Sequence, residues 1–386
     1  MLQLPDAIST EDFLDRYWQK NRLFMPQALP ADLPDLSADE LGWLATLDDV
    51  ESRIIFSERN GDVTDYRLEH GPFDEKTLQK LPSENWTLLV QDVEKHLPDF
   101  RKYLSEFSFI PDWRIDDLMV SFAVPGGSVG PHRDNYDVCL CQGAGQREWR
   151  IAAPDADLRT VESGELSLVE PIDDPGRVKA SNRDVLYLPP GIAHWGIATE
   201  SCVTYSVGMR APTSSDFLAG VSRLLGAEID DDRSNQLFYT DPDLSASEAV
   251  PGMISDETIQ RARQCFGDPA DLDPADFAMV FGCVVSDVKA WLAPERPSQS
   301  DIEEFCKTDR LQVRVHGMAR LAYYAGITGK LAFANGFART VTATELEELR
   351  EICTRRVAPA KSSDMFMWLA AKGAFDLPAN EPDDAT

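Results

Sequence analysis

Two residues in the central part of the chain have the types and the spacing of a partial metal site. His132 and Asp134 follow a glycine-rich stretch, 124–130, as a His-X-Asp motif. Because side chains alternate along an extended strand, positions 132 and 134 lie on the same side and can reach one ion. An imidazole and a carboxylate are two of the three ligands of a ferrous facial triad. The motif therefore predicts part of an iron site.

The segment 184–194 offers a third ligand. It has the pattern of a strand that ends in a Pro-Pro-Gly turn at 189–191 and presents His194 three residues after the glycine. Three protein ligands on one octahedral face leave adjacent positions for a bidentate oxoacid and dioxygen. A lone His-X-Asp is common by chance, as a surface histidine near a turn carboxylate, but packing does not explain the whole combination. We predict that His132, Asp134 and His194 hold Fe(II).

The remaining histidines and the cysteines show no comparable pattern. His70, His96 and His316 have no ligand-like partner in the sequence and are expected to be surface or hydrogen-bonded histidines. The seven cysteines are an odd number and none is in Cys-X-X-Cys spacing, which indicates reduced thiols. Neither a disulfide framework nor a zinc ribbon is predicted.

The elements that must position the three ligands are short strands. Gly- and Pro-containing turns separate them, and no helical period intervenes, which favours an antiparallel barrel or a double-sheet jelly roll of the cupin type. Upstream, Ser9 and Thr10 before Glu11 and Asp12 indicate a capped amphipathic helix, and Asn60-Gly61 indicates a hairpin. The predicted strands between residues 116 and 210 are 117–124, 137–141, 148–152, 184–188 and 202–208.

After residue 212 the composition indicates helices. Apolar residues recur at helical spacing through about residue 291, and a proline-containing linker follows. The last section predicts a hairpin around Asn335-Gly336 and then a helix opened by a capping box from Thr344 to Glu347, with Leu346 on its apolar face. A helix, a hairpin and further helices are typical of a winged-helix-like unit.

The overall composition limits the classes of partner. The chain has 386 residues, enough for more than one core, and 66 acidic against 37 basic residues give a formal charge of -29. Such a charge repels phosphate backbones and attracts basic proteins, although it can also serve only solubility. The N-terminus has no signal-peptide pattern and no long apolar run occurs, so a cytoplasmic location and no membrane partner are expected.

The segment from Trp113 to Pro212 resembles the bacterial JmjC-type ribosomal oxygenases, the group of ribosomal protein uL16 arginine hydroxylases. The resemblance is strong in this segment, extends upstream, and covers the C-terminal part only in general layout. The matching upstream residues are Tyr17-Trp18-Gln19-Lys20, His70-Gly71-Pro72-Phe73 and Asn85-Trp86. The matching central residues are 112–119, 124–127, 130–132, Asp134, 136–138, Gln142-Gly143, Arg147, Trp149-Arg150, 188–191, His194, 205–208 and 210–212.

The resemblance implies an α+β architecture with three parts. These are a JmjC double-stranded β-helix with its N-terminal extension over 1–212, a helical dimerisation module over 213–292, and a winged-helix-like domain over 293–386. It also implies a homodimer. The same segmentation follows from the composition, and direct nucleic acid binding by the acidic C-terminal section is not expected.

The resemblance further implies that a basic residue binds the distal carboxylate of 2-oxoglutarate. Arg147 occupies the matching position, and its guanidinium fork suits a carboxylate, with Arg150 as the alternative. Relatives have a serine where this chain has Ala123, so one hydroxyl is missing from the expected co-substrate site. Ser121 or Thr204 could replace that hydroxyl.

The activity that the resemblance implies is a 2-oxoglutarate-dependent dioxygenase that uses Fe(II), 2-oxoglutarate and dioxygen to hydroxylate a protein side chain. The expected target is the β-carbon of an arginine in ribosomal protein uL16, with Asp116 and Asp137 as possible partners of its guanidinium or as solvated charges. Two alternatives remain open. One is the same chemistry on a histidine of another ribosomal protein or on a methyl-lysine, and the other is a non-catalytic, metal-binding cupin adaptor.

Overall fold

The computed structural model describes residues 2–5, 8–60, 63–172, 176–225, 238–248, 250–266, 272–307 and 312–377, which divide into two compact units. The first unit takes in 1–109, 115–210 and 242–246, and the second takes in 110–114, 211–241 and 247–386. The chain thus changes unit between residues 210 and 211, close to the predicted boundary at 212. The division into three named domains stays a prediction.

Two antiparallel sheets form the barrel of the first unit. Its strands are β1 Leu23–Met25, β2 Ser52–Asn60, β3 Val63–His70, β4 Trp86–Val90, β5 Ile115–Ala123, β6 Val138–Gln142, β7 Arg147–Ile151, β8 Thr160–Ser163, β9 Leu166–Val169, β10 Gly176–Ala180, β11 Val185–Leu188, β12 His194–Ala198 and β13 Cys202–Met209. The larger sheet has the order β1-β11-β6-β13-β5-β4-β2-β3, and the smaller has the order β10-β7-β12. A separate hairpin pairs β8 with β9. This is the predicted JmjC cupin jelly roll.

The larger sheet buries both of its faces, which explains why its central strands are almost continuously apolar. On the outer face Tyr187 contacts Phe13 with ring centroids 5.0 Å apart, and Tyr205 stacks on Tyr103 at 4.3 Å. The helices of this unit are α1 Thr10–Arg16, α2 Ala38–Leu44, α3 Glu75–Leu78, α4 Val93–His96 and α5 Arg101–Ser105. On the inner face an apolar cluster joins the two sheets, and Leu140 and Trp149 belong to it.

Most of the predicted elements of the first unit are confirmed. The five predicted strands correspond to β5, β6, β7, β11 and β13, with ends that differ by one or two residues. The predicted hairpin is formed by β2 and β3, while Gly61 of its turn lies outside the described residues. Ser9 caps α1 through a capping box with Asp12. The short strands β1, β4, β8, β9, β10 and β12 have no counterpart among the predicted elements.

The second unit combines helices with a four-stranded sheet. Its helices are α6 Ser214–Leu225, α7 Asp256–Phe266, α8 Pro274–Ser286, α9 Gln299–Phe305, α10 Ala343–Arg355 and α11 Asp364–Ala371, and its strands are β14 Met253–Ile254, β15 Gln312–Arg314, β16 Leu321–Gly326, β17 Gly329–Ala334, β18 Phe337–Thr340 and β19 Val357–Pro359. The sheet has the order β14-β16-β17-β18, and β15 pairs with β19. The helix α8 is apolar nearly all round because it packs on α6, α7 and the sheet.

The predicted hairpin around Asn335-Gly336 is confirmed as β17 and β18. The predicted capping box from Thr344 to Glu347 is wrong: Thr342 caps α10, and its partner is Glu345. Both pairs have the same three-residue spacing, so the helix starts two residues earlier than predicted, while its buried face begins at Leu346 as expected. The winged-helix-like character of the last section stays a prediction.

Two expectations about the whole chain can be compared with the structure. All seven cysteines are free thiols, as predicted. Among the described residues, none of the helices has both the length and the apolar character that crossing a bilayer requires.

Candidate metal centre

The backbones of His132 and His194 are bonded directly to each other. The amide of His132 donates to the carbonyl of His194 at 3.0 Å, and the amide of His194 donates back to the carbonyl of His132 at 2.9 Å. Residues that exchange both hydrogen bonds in an antiparallel pair carry their side chains on the same face. The two imidazole centroids consequently lie 4.3 Å apart, although the residues are distant in the sequence.

Asp134 completes a cluster with the two imidazoles. Its Oδ1 lies 3.8 Å from Nε2 of His132 and its Oδ2 lies 3.6 Å from Nε2 of His194. The amide of Gly191 donates to the carbonyl of Asp134 at 2.8 Å, so the Pro-Pro-Gly turn holds this residue in place. Ligands in adjacent positions of an octahedral ion are about 3 Å apart when metal–ligand distances are near 2.1 Å. The donor atoms are thus within small side-chain rotations of that arrangement.

The hydrogen bonds of the two imidazoles leave the correct nitrogen available to a metal. Nδ1 of His132 lies 3.0 Å from the carbonyl of Gly130, and Nδ1 of His194 lies 3.0 Å from the carbonyl of Ile192. A carbonyl only accepts, so Nδ1 must carry the proton in each ring and Nε2 keeps its lone pair. Burial lowers the pKa of His194 to about 4, and the nearby His132 acts in the same direction. His194 is therefore neutral at pH 7, as a metal ligand must be.

The donor set also fits an open Fe(II) site. It consists of two imidazoles and one carboxylate, and in the described part of the chain no further histidine, cysteine or carboxylate joins it. Two histidines and one carboxylate with open positions are diagnostic of non-haem Fe(II) oxygenases. A closed structural zinc site would require a fourth protein ligand.

The glycine-rich stretch before His132 is shaped by close backbone contacts. A Cβ on Gly127 would lie 2.1 Å from the carbonyl oxygen of Trp86. Gly130 has φ +88°, which L-residues with a side chain rarely adopt. Only glycine permits this backbone conformation, and the conformation places His132 beside His194.

Arg147 lies inside the barrel, on the same strand as two residues that face the metal cluster. On β7 the side chains of Arg147, Trp149 and Ile151 are buried, and Ile151 pairs with His194 on β12. The Trp149 ring lies 5.9 Å from His194. Arg147 is 3% exposed, and among the described residues neither its Nε nor its Nη2 has a hydrogen-bond partner. A buried guanidinium of this kind requires an anion.

Arg150 points to the other face of the same strand. Its Nε lies 3.2 Å from Oε1 of Glu148, and its guanidinium stacks over the ring of Trp195 at 4.8 Å. Arg150 thus has its own partners, whereas Nε and Nη2 of Arg147 have none in the described parts of the chain. Of the two candidates, the geometry favours Arg147 as the residue that would bind the co-substrate carboxylate.

The two hydroxyls that were expected to compensate for Ala123 are both occupied. The hydroxyl of Thr204 lies 3.2 Å from Oε1 of Gln142, and that of Ser121 lies 3.5 Å from the carbonyl of Thr204. A third hydroxyl, on Thr87 of β4, lies directly opposite Ala123 and was missed by the sequence analysis. It was missed because Thr87 stands in an apolar strand, 36 residues before Ala123 by their numbers, with no motif around it.

The surroundings of the cluster are acidic. The pKa of Tyr136 is raised first by the negative charge of Asp134, and then by burial and by Asp117 and Asp116, while Arg53 acts in the opposite direction. Several carboxylates therefore act on the phenol of Tyr136 next to the candidate ligands. Such a field attracts a cationic side chain.

Asp137 does not have either of its expected roles. Its carboxylate is fully buried, and it accepts hydrogen bonds from the hydroxyl of Tyr187 at 2.6 Å and from Nε2 of Gln19 at 2.9 Å. It is therefore a structural residue on the outer face of the barrel, not a solvated charge or a partner of a guanidinium. Asp116 remains half-buried and accepts from Nε of Arg210 at 3.3 Å.

The other three histidines lie outside the cluster, as expected. His70 is exposed and lies 2.9 Å from Glu165, and Nε2 of His316 lies 3.9 Å from Asp376. Burial lowers the pKa of His96. None of the three joins the described cluster of metal-ligating groups.

Comparison with known proteins relates this geometry to a family. Residues 102–217 match the model of the JmjC domain. The chain is 34% identical over 347 residues to the ribosomal protein uL16 3-hydroxylase of Escherichia coli K12, covering 86% of this chain and 85% of that protein. It is 36% identical over 277 residues to a probable ribosomal oxygenase of Haemophilus influenzae, covering 69% of this chain and 65% of that protein.

Solved structures give the same result. The chain superimposes on the X-ray structure of E. coli YcfD with a TM-score of 0.72 and 29% identity, covering 97% of this chain and 98% of that one. The structure of YcfD, a ribosomal oxygenase, in complex with cobalt and 2-oxoglutarate matches with a TM-score of 0.70 and 28% identity, covering 97% and 99%. The likeness extends over both compact units.

Proposed function

We propose, since the chain belongs to the JmjC-type ribosomal oxygenases, that it hydroxylates the β-carbon of an arginine in ribosomal protein uL16. The E. coli relative is named a uL16 3-hydroxylase, and carbon 3 of an amino acid is its β-carbon. The chain is a 2-oxoglutarate-dependent oxygenase of the family that uses Fe(II). The target protein and the target residue are the proposed part.

One observation carries the proposal: His132, Asp134 and His194 converge with one donor atom each, all within 4.8 Å of one another. We assign the iron to these three side chains and the distal carboxylate of 2-oxoglutarate to Arg147. When bound, Fe(II) with 2-oxoglutarate and dioxygen supplies the oxidising power to insert oxygen into a C–H bond, while the co-substrate becomes succinate and CO2.

The protein's own residues prepare this reaction in three ways. The carbonyls of Gly130 and Ile192 hold a proton on Nδ1 of each imidazole, which leaves Nε2 of the neutral ring as the atom that can bind metal. The apolar inner cluster around Leu140 and Trp149 keeps water out of the barrel. Arg147, at the far end of β7 from Ile151, would orient the co-substrate by its second carboxylate.

The charge of the protein supports a basic substrate. The formal charge is -29, and Asp117 and Asp116 act on Tyr136 beside the candidate ligands. An arginine side chain that enters the mouth would meet these carboxylates before its β-carbon reaches the metal. Electrostatic complementarity of this kind accelerates association and selects partners of opposite charge.

The test is to incubate the purified protein with Fe(II), 2-oxoglutarate and full-length uL16 under air. We expect a uL16 product heavier by one oxygen atom, located by fragmentation mass spectrometry on an arginine β-carbon, together with an equal amount of succinate. The variants His132→Ala and His194→Ala should give neither product. Modification of a histidine or methyl-lysine instead would contradict the proposed target, and full turnover by either variant would contradict the metal assignment.

Three further expectations are proposals of the same kind. We expect a cytoplasmic homodimer that dimerises through 213–292 and does not bind nucleic acid directly. Light scattering coupled to size-exclusion chromatography should give twice the chain mass of 43.0 kDa. A monomer at micromolar concentration would contradict the dimer, and salt-dependent retention on ribosomal RNA would contradict the absence of nucleic acid binding.

A further inference from the structure

We propose that Thr87 supplies the hydroxyl that helps Arg147 to hold the distal carboxylate of 2-oxoglutarate in this chain. This inference rests on the proposed co-substrate site. It concerns a residue of β4 that no ligand motif contains. The argument starts from the position of Thr87 in the sheet.

Thr87 lies beside Ala123 on the inner face of the barrel. The two residues are direct partners in the antiparallel pair of β4 and β5, so their side chains project from the same face with Cβ atoms about 5 Å apart. Ala123 packs against Ala198, which belongs to the smaller sheet on the opposite side of the barrel. Ala198 is paired with Arg147, whose side chain faces the interior, so the side chains of Ala198, Ala123 and Thr87 face inward as well.

The same row of residues leads to Arg147. Ala198 is the direct partner of Arg147 in the pair of β12 and β7. Thr87, Ala123, Ala198 and Arg147 therefore lie at one level of the barrel, one from each of four strands. Two of the four are alanines, and their small side chains leave room between the hydroxyl and the guanidinium.

Three polar atoms at this level can donate a hydrogen bond and have no partner among the described residues. Thr87 is fully buried, and its Oγ1 has no hydrogen-bond partner among the described residues. Arg147 has two such nitrogens, Nε and Nη2. Buried donors without partners are rare because each loses its hydration. A carboxylate accepts at both oxygens and can satisfy the guanidinium and the hydroxyl together.

The hydroxyl of Thr87 is also well placed to act as a fixed donor. Threonine is branched at Cβ and its χ1 is restricted in a strand, so the position of Oγ1 is set by the sheet. Only the O–H bond rotates. In this chain Thr87 would replace the hydroxyl that is absent at Ala123, from the adjacent strand.

The experiment measures the affinity of the Co(II)-loaded protein for two acids by calorimetry without oxygen. 2-Oxoglutarate has the distal carboxylate, and 2-oxobutyrate has the same chelating group without it. Thr87→Val, which keeps the shape and removes the hydroxyl, should bind 2-oxoglutarate about 10-fold to 100-fold more weakly and 2-oxobutyrate unchanged. Thr87→Ser should stay within about 3-fold of the unmodified protein for both acids.

A rescue variant tests the stated geometry. Adding Ala123→Ser to Thr87→Val should restore 2-oxoglutarate affinity to within about 3-fold, because the hydroxyl returns from the neighbouring strand. The Tm of unliganded Thr87→Val should not fall, since Oγ1 of Thr87 makes no hydrogen bond to any residue that the structure describes. If Thr87→Val does not fold, Thr87→Ala carries the same expectation.

Two results would overturn the inference while leaving the proposed function intact. One is a Thr87→Val protein that binds 2-oxoglutarate as well as the unmodified protein. The other is an equal loss of affinity for 2-oxoglutarate and 2-oxobutyrate, which would indicate a structural role. If the unmodified Co(II)-loaded protein itself fails to bind 2-oxoglutarate, both the proposed co-substrate site and this inference are wrong.

Discussion

Replacing Arg147 with methionine should have opposite effects on two properties of the protein. It should raise the stability of the unliganded form and strongly reduce the affinity for 2-oxoglutarate. The reason is that Arg147 is 3% exposed and two of its guanidinium nitrogens have no partner within the described residues. Arg147 therefore destabilises the protein without 2-oxoglutarate and is required for binding 2-oxoglutarate.

The magnitudes follow from the surroundings of the guanidinium. A buried charge without a partner destabilises by several kcal/mol. Its cation–π contact with Trp149, at 5.6 Å to the ring centroid, offsets about 1–2 kcal/mol of this. The expected net gain for Arg147→Met is about 1–2 kcal/mol, or about 2–4 °C in Tm for each kcal/mol. Loss of a buried carboxylate partner should weaken 2-oxoglutarate binding about 30-fold to several thousand-fold.

The assay is thermal unfolding of the Co(II)-loaded protein with and without 2-oxoglutarate. At a ligand concentration of 100 times Kd the unmodified protein gains about 2.7 kcal/mol, and a variant with 100-fold weaker binding gains about 0.4 kcal/mol. Arg150→Met is the matched control, because Arg150 has the same side chain on the opposite face of β7 and is paired with Glu148. Its response to 2-oxoglutarate should be unchanged.

The reasoning would be refuted by either of two results. The first is an unliganded Arg147→Met protein that is less stable than the original by more than about 2 kcal/mol, as expected for a residue that is satisfied within the fold. The second is a normal response of this variant to 2-oxoglutarate. If Arg150→Met instead loses its response to 2-oxoglutarate, the assignment of the co-substrate to Arg147 is wrong.

Three other substitutions give separate tests. His194→Ala should abolish Co(II) binding measured by calorimetry, and retained micromolar affinity would contradict the ligand assignment. In a denaturant titration, Gly127→Ala should lower the free energy of unfolding by more than about 2 kcal/mol, since its Cβ would lie 2.1 Å from the carbonyl oxygen of Trp86. Gly191→Ala should lower it by only about 1 kcal/mol, because Gly191 has φ +81° but open space around the position of a Cβ. Asp117→Asn should raise KM for uL16 several-fold and leave KM for 2-oxoglutarate unchanged; equal changes in both would argue against a substrate contact.

The predictable part of the site was the part encoded by local pattern. The alternation of His132 and Asp134 and the turn before His194 depend on residues close in sequence, and the structure brings all three together. The strands around them were predictable because β5, β6 and β13 are rich in apolar and β-branched residues and are bounded by turns. The short strands β9, β10 and β12 were not, because each has only four or five residues and takes its conformation from its partners.

What could not be predicted depends on register. No motif around Thr87 indicates a role for its hydroxyl. That role follows only from the register that places Thr87 opposite Ala123. The same holds for Asp137. The sequence suggested a surface carboxylate, but the register of the sheet places it on the outer face beside Tyr187. At the start of α10 two capping pairs, Thr342 with Glu345 and Thr344 with Glu347, had equal spacing. The packing of the helix decided between them.

The reciprocal hydrogen bonds between His132 and His194 determine whether the metal ion binds before or after the protein folds. Because main-chain amides and carbonyls pair the two residues, the sheet itself places the two rings side by side when the barrel forms. Metal capture then follows folding, unlike in a zinc finger, where the ion drives it. A chelator should strip this protein without denaturing it. Which divalent ion binds there is then decided by the relative availability of the competing ions.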